Sequence, residues 1–548
     1  MKFSVKVGRE KLEVEENIID RLVRYVSPRA GLGRMKSRLH TAMIGGYSGA
    51  SKSKRSLKGW RVPGGDADSD ILPDLQDLRD RSRDLVRNTP IAASAVNTNV
   101  TNVVGTGLKY HSRIDRKYLG LSDEEADEWE QNAERRFRLF AESNECDATR
   151  QQNFLGLQDL IYRSALEGGD VFILLPMINR AGSPFGLKMQ VVEADRVCNK
   201  DNAADTRTLA GGIETDEHGA PINYHIRKTH PGSTLYTNLE WDVVPAFGAR
   251  SGRRNVIHLF DRRRPGQRRG VPYLAPVIEA LKQLGTYTDA ELMAAVISGM
   301  FTVFIESEMP EEMFDLVDGD KKDLSNKDDY ELGNGSIVGL NPGEKVSAPN
   351  PGRPNSAFDP FVIAIIRQIG AALELPFELL MKHFTASYSA SRAAFMEAWK
   401  TFNSRRAFLE RGLCNPVLEE FMFEQVAKGL MNAPGFLIDP MIRKAYLGAE
   451  WTGPARGQIN ELQEVKAARE RVDAGFTTIT EETAAMTGGD WEKKHRQSVK
   501  EKMRRVEGGL VEDNKPPEII QQNEQPPDTD LDEQDNKETK PGNRRAFS

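Results

Sequence analysis

Two stretches of this chain carry apolar residues at helical spacing along one face only. VPYLAPVIEALKQLGTYTDAELMAAVISG aligns Leu274, Val277, Ile278, Leu281, Leu284, Thr288, Leu292 and Val296, and FDPFVIAIIRQIGAALEL aligns Phe358, Phe361, Val362, Ile365, Ile366, Ile369 and Leu373. Such stripes must be buried against another surface. Residues 300–357 between them supply little to bury: FTVFIES, the acidic MPEEMFDLVDGDKKDLSNKDDYELG, and the turn-rich GSIVGLNPGEKVSAPNPGRP. The pattern predicts an antiparallel helix pair with a small mixed lobe at its far tip.

At 548 residues the chain exceeds what one hydrophobic core supports, so several subdomains are expected. Charged residues at 28% and aromatics at 7% suit a helix-rich protein with large solvated faces. No run is apolar enough for a membrane span, and the N-terminus MKFSVKVGREKLEVEENIID lacks the apolar core of a secretory signal, so no membrane is expected and cytoplasmic synthesis is. Cys146, Cys198 and Cys414 lie far apart and read as packing residues. A net charge of −6 argues against a protein that coats DNA, because such proteins neutralise phosphates with excess Lys and Arg. It does allow DNA to slide past on weak, interchangeable contacts.

Residues 1–71 read as a partly ordered arm: an alternating FSVKV, an amphipathic IIDRLVRYV, then a basic Gly- and Ser-rich run. ILPDLQDLRDRSRDLVRN predicts a helix with Leu75, Leu78 and Leu85 on one side, Pro90 opens a second that Gly105 closes, and GLKYHSRI reads as a short strand. Ser122 and Glu125 fit a capping box before the next helix. Between about 154 and 260, a helix ending at glycines alternates with the strand-like VFILLPMI, LKMQVVEA, GGIETDE, INYHIRK and NVIHLF, predicting an α+β domain with a mostly antiparallel sheet. Phe395, Trp399, Phe402 and Leu409 mark a long helix, Asn415-Pro416 caps another, and 450–507 is strongly helical. The Pro-, Gln- and acid-rich tail 508–548 reads as disordered.

No motif for chemistry stands out, so no catalytic residue, cofactor or metal site is read from the sequence. GGYSGASKS lacks the adjacent glycine and lysine of a phosphate loop, and no HExxH, EF-hand loop or GxSxG occurs. Glu167, Asp170, Glu193 and Asp195 cluster around two predicted strands and leave open a metal-dependent DNA-processing nuclease, though acids in such turns are usually solvated. The basic turn Arg262, Arg263, Arg264, Arg268 and Arg269 suits either contact with phosphate or an acidic partner, or, preferably, a solvated turn.

The order of the parts resembles the lambda-type portal proteins of tailed bacteriophages across roughly residues 45–507. The stretches carrying it are SLKGW, RSRDLVRNTPIAASAVNTNVTNVVGTGLKY, EGGDVFI, VIHLFDRRRPGQRRGVPYLAPVIEALKQL, FIES, ELPFELLMKHFTASYSASRAAFMEAWKTF and WTGPARGQINELQEVKAARERVDAGFTTITEE. The arm before residue 45, an insert around 308–332 and the tail depart from it. The resemblance implies a non-enzymatic ring, commonly a dodecamer, at one capsid vertex of the virion. Double-stranded DNA is packaged and ejected through it, and it docks the large terminase subunit and head-tail adaptor beside the major capsid and scaffold proteins. It assigns 72–265 to the wing, 266–299 and 358–377 to the stem, 300–357 to the clip, 378–392 to the tunnel loop, 393–449 to further wing helices and 450–507 to the crown. The striped helices agree independently, being poorly buried in one copy and well buried in a closed ring.

KHFTASYSASR interrupts the helices with small hydroxyl residues, and the resemblance makes it the loop projecting into the channel. Thr385, Ser387 and Ser389 exchange hydrogen bonds with phosphate or water without a deep energy well. Lys382, His383 and Arg392 add mild attraction, and Glu378 and Glu397 are candidate partners for Lys382 and Arg392. Tyr388 and Arg392 could equally begin the next helix, with Ser389 as its N-cap.

Overall fold

The computed structural model describes residues 2–7, 10–15, 18–34, 50, 55–57, 59–60, 62–234, 239–299, 304–307, 344–347, 357–384, 387–457 and 460–510. The chain divides into two compact units, Met1–Asp70 and Ile71–Ser548. In the first, strand β1 (Lys2–Val7) pairs antiparallel with β2 (Glu10–Glu15), and helix α1 (Ile18–Val26) follows, matching the strand and helix signals of the arm.

The second unit is α+β and predominantly helical. Helix α2 (Leu75–Asn88) buries Leu75 and Leu85, with Arg79 and Ser82 on the same side. Thr89 is extended, as a residue before proline prefers, and Pro90 opens α3 (Pro90–Val103). Strand β3 (Lys109–Ser112) leads to α4 (Asp123–Ala141), where Ser122 and Glu125 form the expected capping box. Helix α5 (Phe154–Gly168) ends at Gly169, whose φ of +87° turns the chain into β4 (Asp170–Leu174).

Strands β5 (Gln190–Glu193), β6 (Leu209–Ala210), β7 (Ile213–Thr215), β8 (Pro221–Arg227), β9 (Trp241–Pro245) and β10 (Val256–Phe260) complete this region. They form two antiparallel sheets instead of one, in the orders β10-β4-β5 and β6-β7-β8-β9. Phe172, Val192, Val197, Ile213, Tyr224, Ile226, Ala246 and Val256 form a separate small core here.

The first striped helix, α6 (Ile278–Gly299), starts later than the sequence predicts. Gly270 packs closely against Gly169, and a 3-10 turn at Ala275–Val277 precedes the helix. Of the lobe expected over 300–357, β11 (Phe304–Ser307) and β12 (Glu344–Ser347) pair antiparallel, and most of the remainder lies outside the described residues. The second striped helix, α7 (Phe358–Ala372), runs antiparallel to α6: the Tyr287 ring meets Phe358 and Phe361 at 5.6 and 5.3 Å, while the Tyr273 hydroxyl donates to the Leu373 carbonyl at the other end.

Helix α8 (Phe377–Met381) is a short turn, and α9 (Tyr388–Leu409) follows the hydroxyl-rich stretch. The expected cap at Asn415-Pro416 is absent; helix continues through a π turn at Glu410–Cys414 into α10 (Asn415–Ala427). A wide turn accommodates the proline ring and missing N–H without ending the helix. After α11 (Pro440–Tyr446), β13 (Ala449–Thr452) pairs with β3 and brings buried Trp451 to Tyr110 and Phe137. AEWT is too short to show strand periodicity, so the sequence missed it. Helices α12 (Glu461–Asp473), α13 (Ile479–Thr487) and α14 (Trp491–Glu507) end the described chain, and the tail from 511 lies outside it.

Candidate functional site

The segment between α7 and α9 is anchored before it is exposed. Glu374 takes φ +57°, and Leu375 N–H returns to the Gly370 carbonyl at 2.8 Å. A Cβ on Gly370 would stand 2.5 Å from the Leu375 carbonyl oxygen, so only glycine fits without a shift. The Leu380 side chain is in the core, and the Ser94 hydroxyl of α3 donates to its carbonyl at 2.7 Å.

Lys382 then takes a left-handed φ of +54°, ending α8, and Lys382, His383 and Phe384 are exposed. Among the described residues no carboxylate lies within 4 Å of Lys382 or His383, so Glu378 is not the partner expected for Lys382. Arg392 approaches Glu464 of α12 at 3.9 Å, while Glu397 bonds Lys400 at 2.7 Å. The N-cap is Ser387, not Ser389: its hydroxyl accepts from the Ala390 N–H at 3.4 Å, and Ser389 is exposed in the first turn. Thr385 and the Tyr388 side chain lie outside the described residues. Helix therefore reaches further into 378–392 than expected, with α8 running to Met381 and α9 starting at Tyr388.

The helix stripes divide in two. Leu274, Val277, Leu281, Leu284, Ile366, Ile369 and Leu373 are buried in the chain's own core. Ile278, Val362 and Ile365 are half-buried, while Phe361, Leu292 and Val296 are 52%, 64% and 48% exposed. The near half of the pair thus finds its cover within one copy, because α2 packs on α6 and the Tyr273 loop reaches the end of α7, while the outer half remains exposed.

The basic turn also divides. Arg262 is exposed, and Arg263 bonds Asp261. Arg269 is 2% exposed and is not part of a solvated turn. Its five N–H groups are all engaged: two on Asp170, at 2.6 and 3.2 Å, and three on the carbonyls of Val197, Gly211 and Ala194. Asp170 also accepts from Arg79 at 2.7 Å and the Gly270 N–H at 3.2 Å, with His258 Nε2 at 3.2 Å. Burial pushes the Asp170 carboxyl up, but Arg269 and Arg79 outweigh it and hold it well below the usual range. Burial of His258, stacked between Phe172 and Phe260, lowers its pKa. Asp195 is similar: burial opposes, yet Arg83 holds its pKa at about 2, helped by Gln76.

These bonds remove the nuclease alternative's support. Asp170 and Asp195 are committed to arginines, Glu193 is exposed, and Glu167 is raised by burial.

Residues 53–406 match the family described as phage portal protein, lambda family, and the chain belongs to that family. It is 27% identical over 491 residues to the portal protein of Escherichia phage N15, spanning 85% of this chain and 90% of that one. It is 26% identical over 497 residues to portal protein B of Escherichia phage lambda, spanning 86% and 91%. Among solved structures, a chain from the virion of a native gene transfer agent particle is similar at TM-score 0.41 and 13% identity, covering 75% of this chain and 93% of that one.

Proposed function

We propose that this portal-family chain forms a ring at one capsid vertex, through whose axis double-stranded DNA enters and leaves the virion. The observation that carries the reading is the family match over residues 53–406, which spans both striped helices and the stretch between α7 and α9. Helices α6 and α7 act as the stem, β11 and β12 belong to the clip, the region 72–265 is the wing, and α12 to α14 form the crown. Lys382, His383, Ser387 and Ser389 face the channel. The clip meets the terminase motor and later the adaptor.

Uncovered Leu292, Val296 and Phe361 support the ring, since sister copies would bury them. Lys382 and His383, free of carboxylates among the described residues, offer the passing phosphates a mild attraction. The Ser387 hydroxyl gives one lone pair to its cap and keeps its O–H to donate to phosphate, as the exposed Ser389 can.

Electron microscopy of the purified protein tests this. Rings with a central hole are expected; a compact monomer at high concentration, or a closed particle without an axial opening, overturns it.

A further inference from the structure

Away from the proposed channel, three side chains from distant parts of the sequence converge: His111 of β3, Glu134 of α4, and Asp490, the N-cap of α14. Their ligand atoms all lie within 4.8 Å of one another. His111 Nδ1 stands 3.7 Å from Glu134 Oε1 and 3.6 Å from Asp490 Oδ2. These distances are too long for hydrogen bonds. They lie at and just beyond the edge of a tetrahedron around an ion with bonds of 2.0–2.2 Å, roughly 3.3–3.6 Å, so a small inward shift of Glu134 would complete it. The His111 side chain is only 10% exposed, and among the described residues no hydrogen bond within normal distance reaches either ring nitrogen.

The other oxygens of both carboxylates are fixed as metal ligands usually are. Asp490 Oδ1 accepts from the Glu492 and Lys493 N–H groups at 2.8 and 3.4 Å. Glu134 Oε2 accepts from Lys493 Nζ at 3.0 Å, and Oε1 also takes the Ser112 N–H at 3.2 Å. Glu134 and Asp490 line a cleft of about 250 Å³ between α4 and α14, which gives an ion and its waters a way in. Arg113, Arg135, Arg138, Lys493 and Arg496 line the same cleft. Lys493 Nζ is 3.4 Å from Asp490 Oδ2, while Arg113 is held by Glu450 and Arg496 by Glu492.

We propose that His111 Nδ1, Glu134 Oε1 and Asp490 Oδ2 bind a divalent transition-metal ion of the zinc type, with water completing its coordination, and that the ion fastens the start of α14 to β3 and α4. An imidazole with two carboxylates selects such an ion over magnesium or calcium. The claim does not depend on the portal reading.

The test is titration of the full chain, stripped with a chelator and desalted, with Zn²⁺ against a competing indicator. Hydrogen exchange is followed in α14. The expected result is one ion per chain, at least tenfold weaker binding in His111→Gln, Glu134→Gln and Asp490→Asn, and slower exchange in wild-type α14 on binding. Asparagine caps a helix about as well as aspartate, so Asp490→Asn removes the ligand and keeps the cap. Circular dichroism checks that each variant folds. Lys493→Met should bind more tightly. No saturable binding to the wild type, which would leave Lys493 as the cluster's cation, overturns the proposal; so does equal binding by wild type and all three ligand variants.

Discussion

Asp170 shows how one carboxylate decides the fate of several arginines. It is fully enclosed, so removing Arg269 leaves the carboxylate with Arg79 as its remaining arginine and strips the carbonyls of Val197, Gly211 and Ala194 of this donor, which costs about 3–5 kcal/mol. Arg269→Met should therefore lower the denaturant midpoint sharply, whereas Arg262→Met, on the exposed side of the same turn, should stay within about 0.5 kcal/mol. Equal effects of the two would refute the assignment. Asp195 adds a pH dependence whose sign follows from its depressed pKa. The folded group, at about 2, holds its proton less tightly than the unfolded one, so its stabilisation is present above about pH 4 and is lost as pH falls towards 2. Asp195→Asn should flatten acid unfolding in that window, and an unchanged profile would contradict it. The sequence shows five arginines in DRRRPGQRRG but not which one turns inward. That choice depends on Asp170, a long-range partner to which no local pattern points.

At the scale of elements, helix boundaries with strong local chemistry were legible: Pro90, the Ser122–Glu125 box and the helices from 461 to 507 stand as read. Periodicity also located both stripes, because it reports which face is apolar. What covers that face depends on tertiary neighbours, so the inward half of the pair was misjudged. The distinction changes which substitutions test assembly. Ile369 is 1% exposed, so Ile365→Asp with Ile369→Asp would disrupt the subunit itself and says nothing of rings. Leu292→Asp with Val296→Asp places charge on exposed positions of α6 instead. The expected outcome is a monomer with wild-type circular dichroism and a thermal midpoint near that of the wild-type subunit. Rings surviving this pair of changes would show that the outer stripe is not a subunit contact.

At the scale of the whole molecule, the stretch facing the proposed channel is tied to the C-terminal helices through Arg392 and Glu464, while Lys382 is left to solvent. The two cations should therefore contribute differently to DNA held in a ring. Each phosphate neutralised by a cation steepens the fall of log affinity with log salt by ~0.9 in duplex DNA. Lys382→Ala, repeated around the ring, should flatten that dependence measurably in binding of short duplexes to purified rings. Arg392→Ala should change it less, because a guanidinium beside a carboxylate already has a counter-charge. Glu464→Gln then supplies the reverse control: removing this counter-charge beside Arg392 should steepen the salt dependence while ring diameter, seen by electron microscopy, stays the same. A Lys382→Ala ring with the wild-type slope would remove this residue from the DNA path. A wild-type slope in Glu464→Gln as well would leave the stretch with no electrostatic hold on DNA.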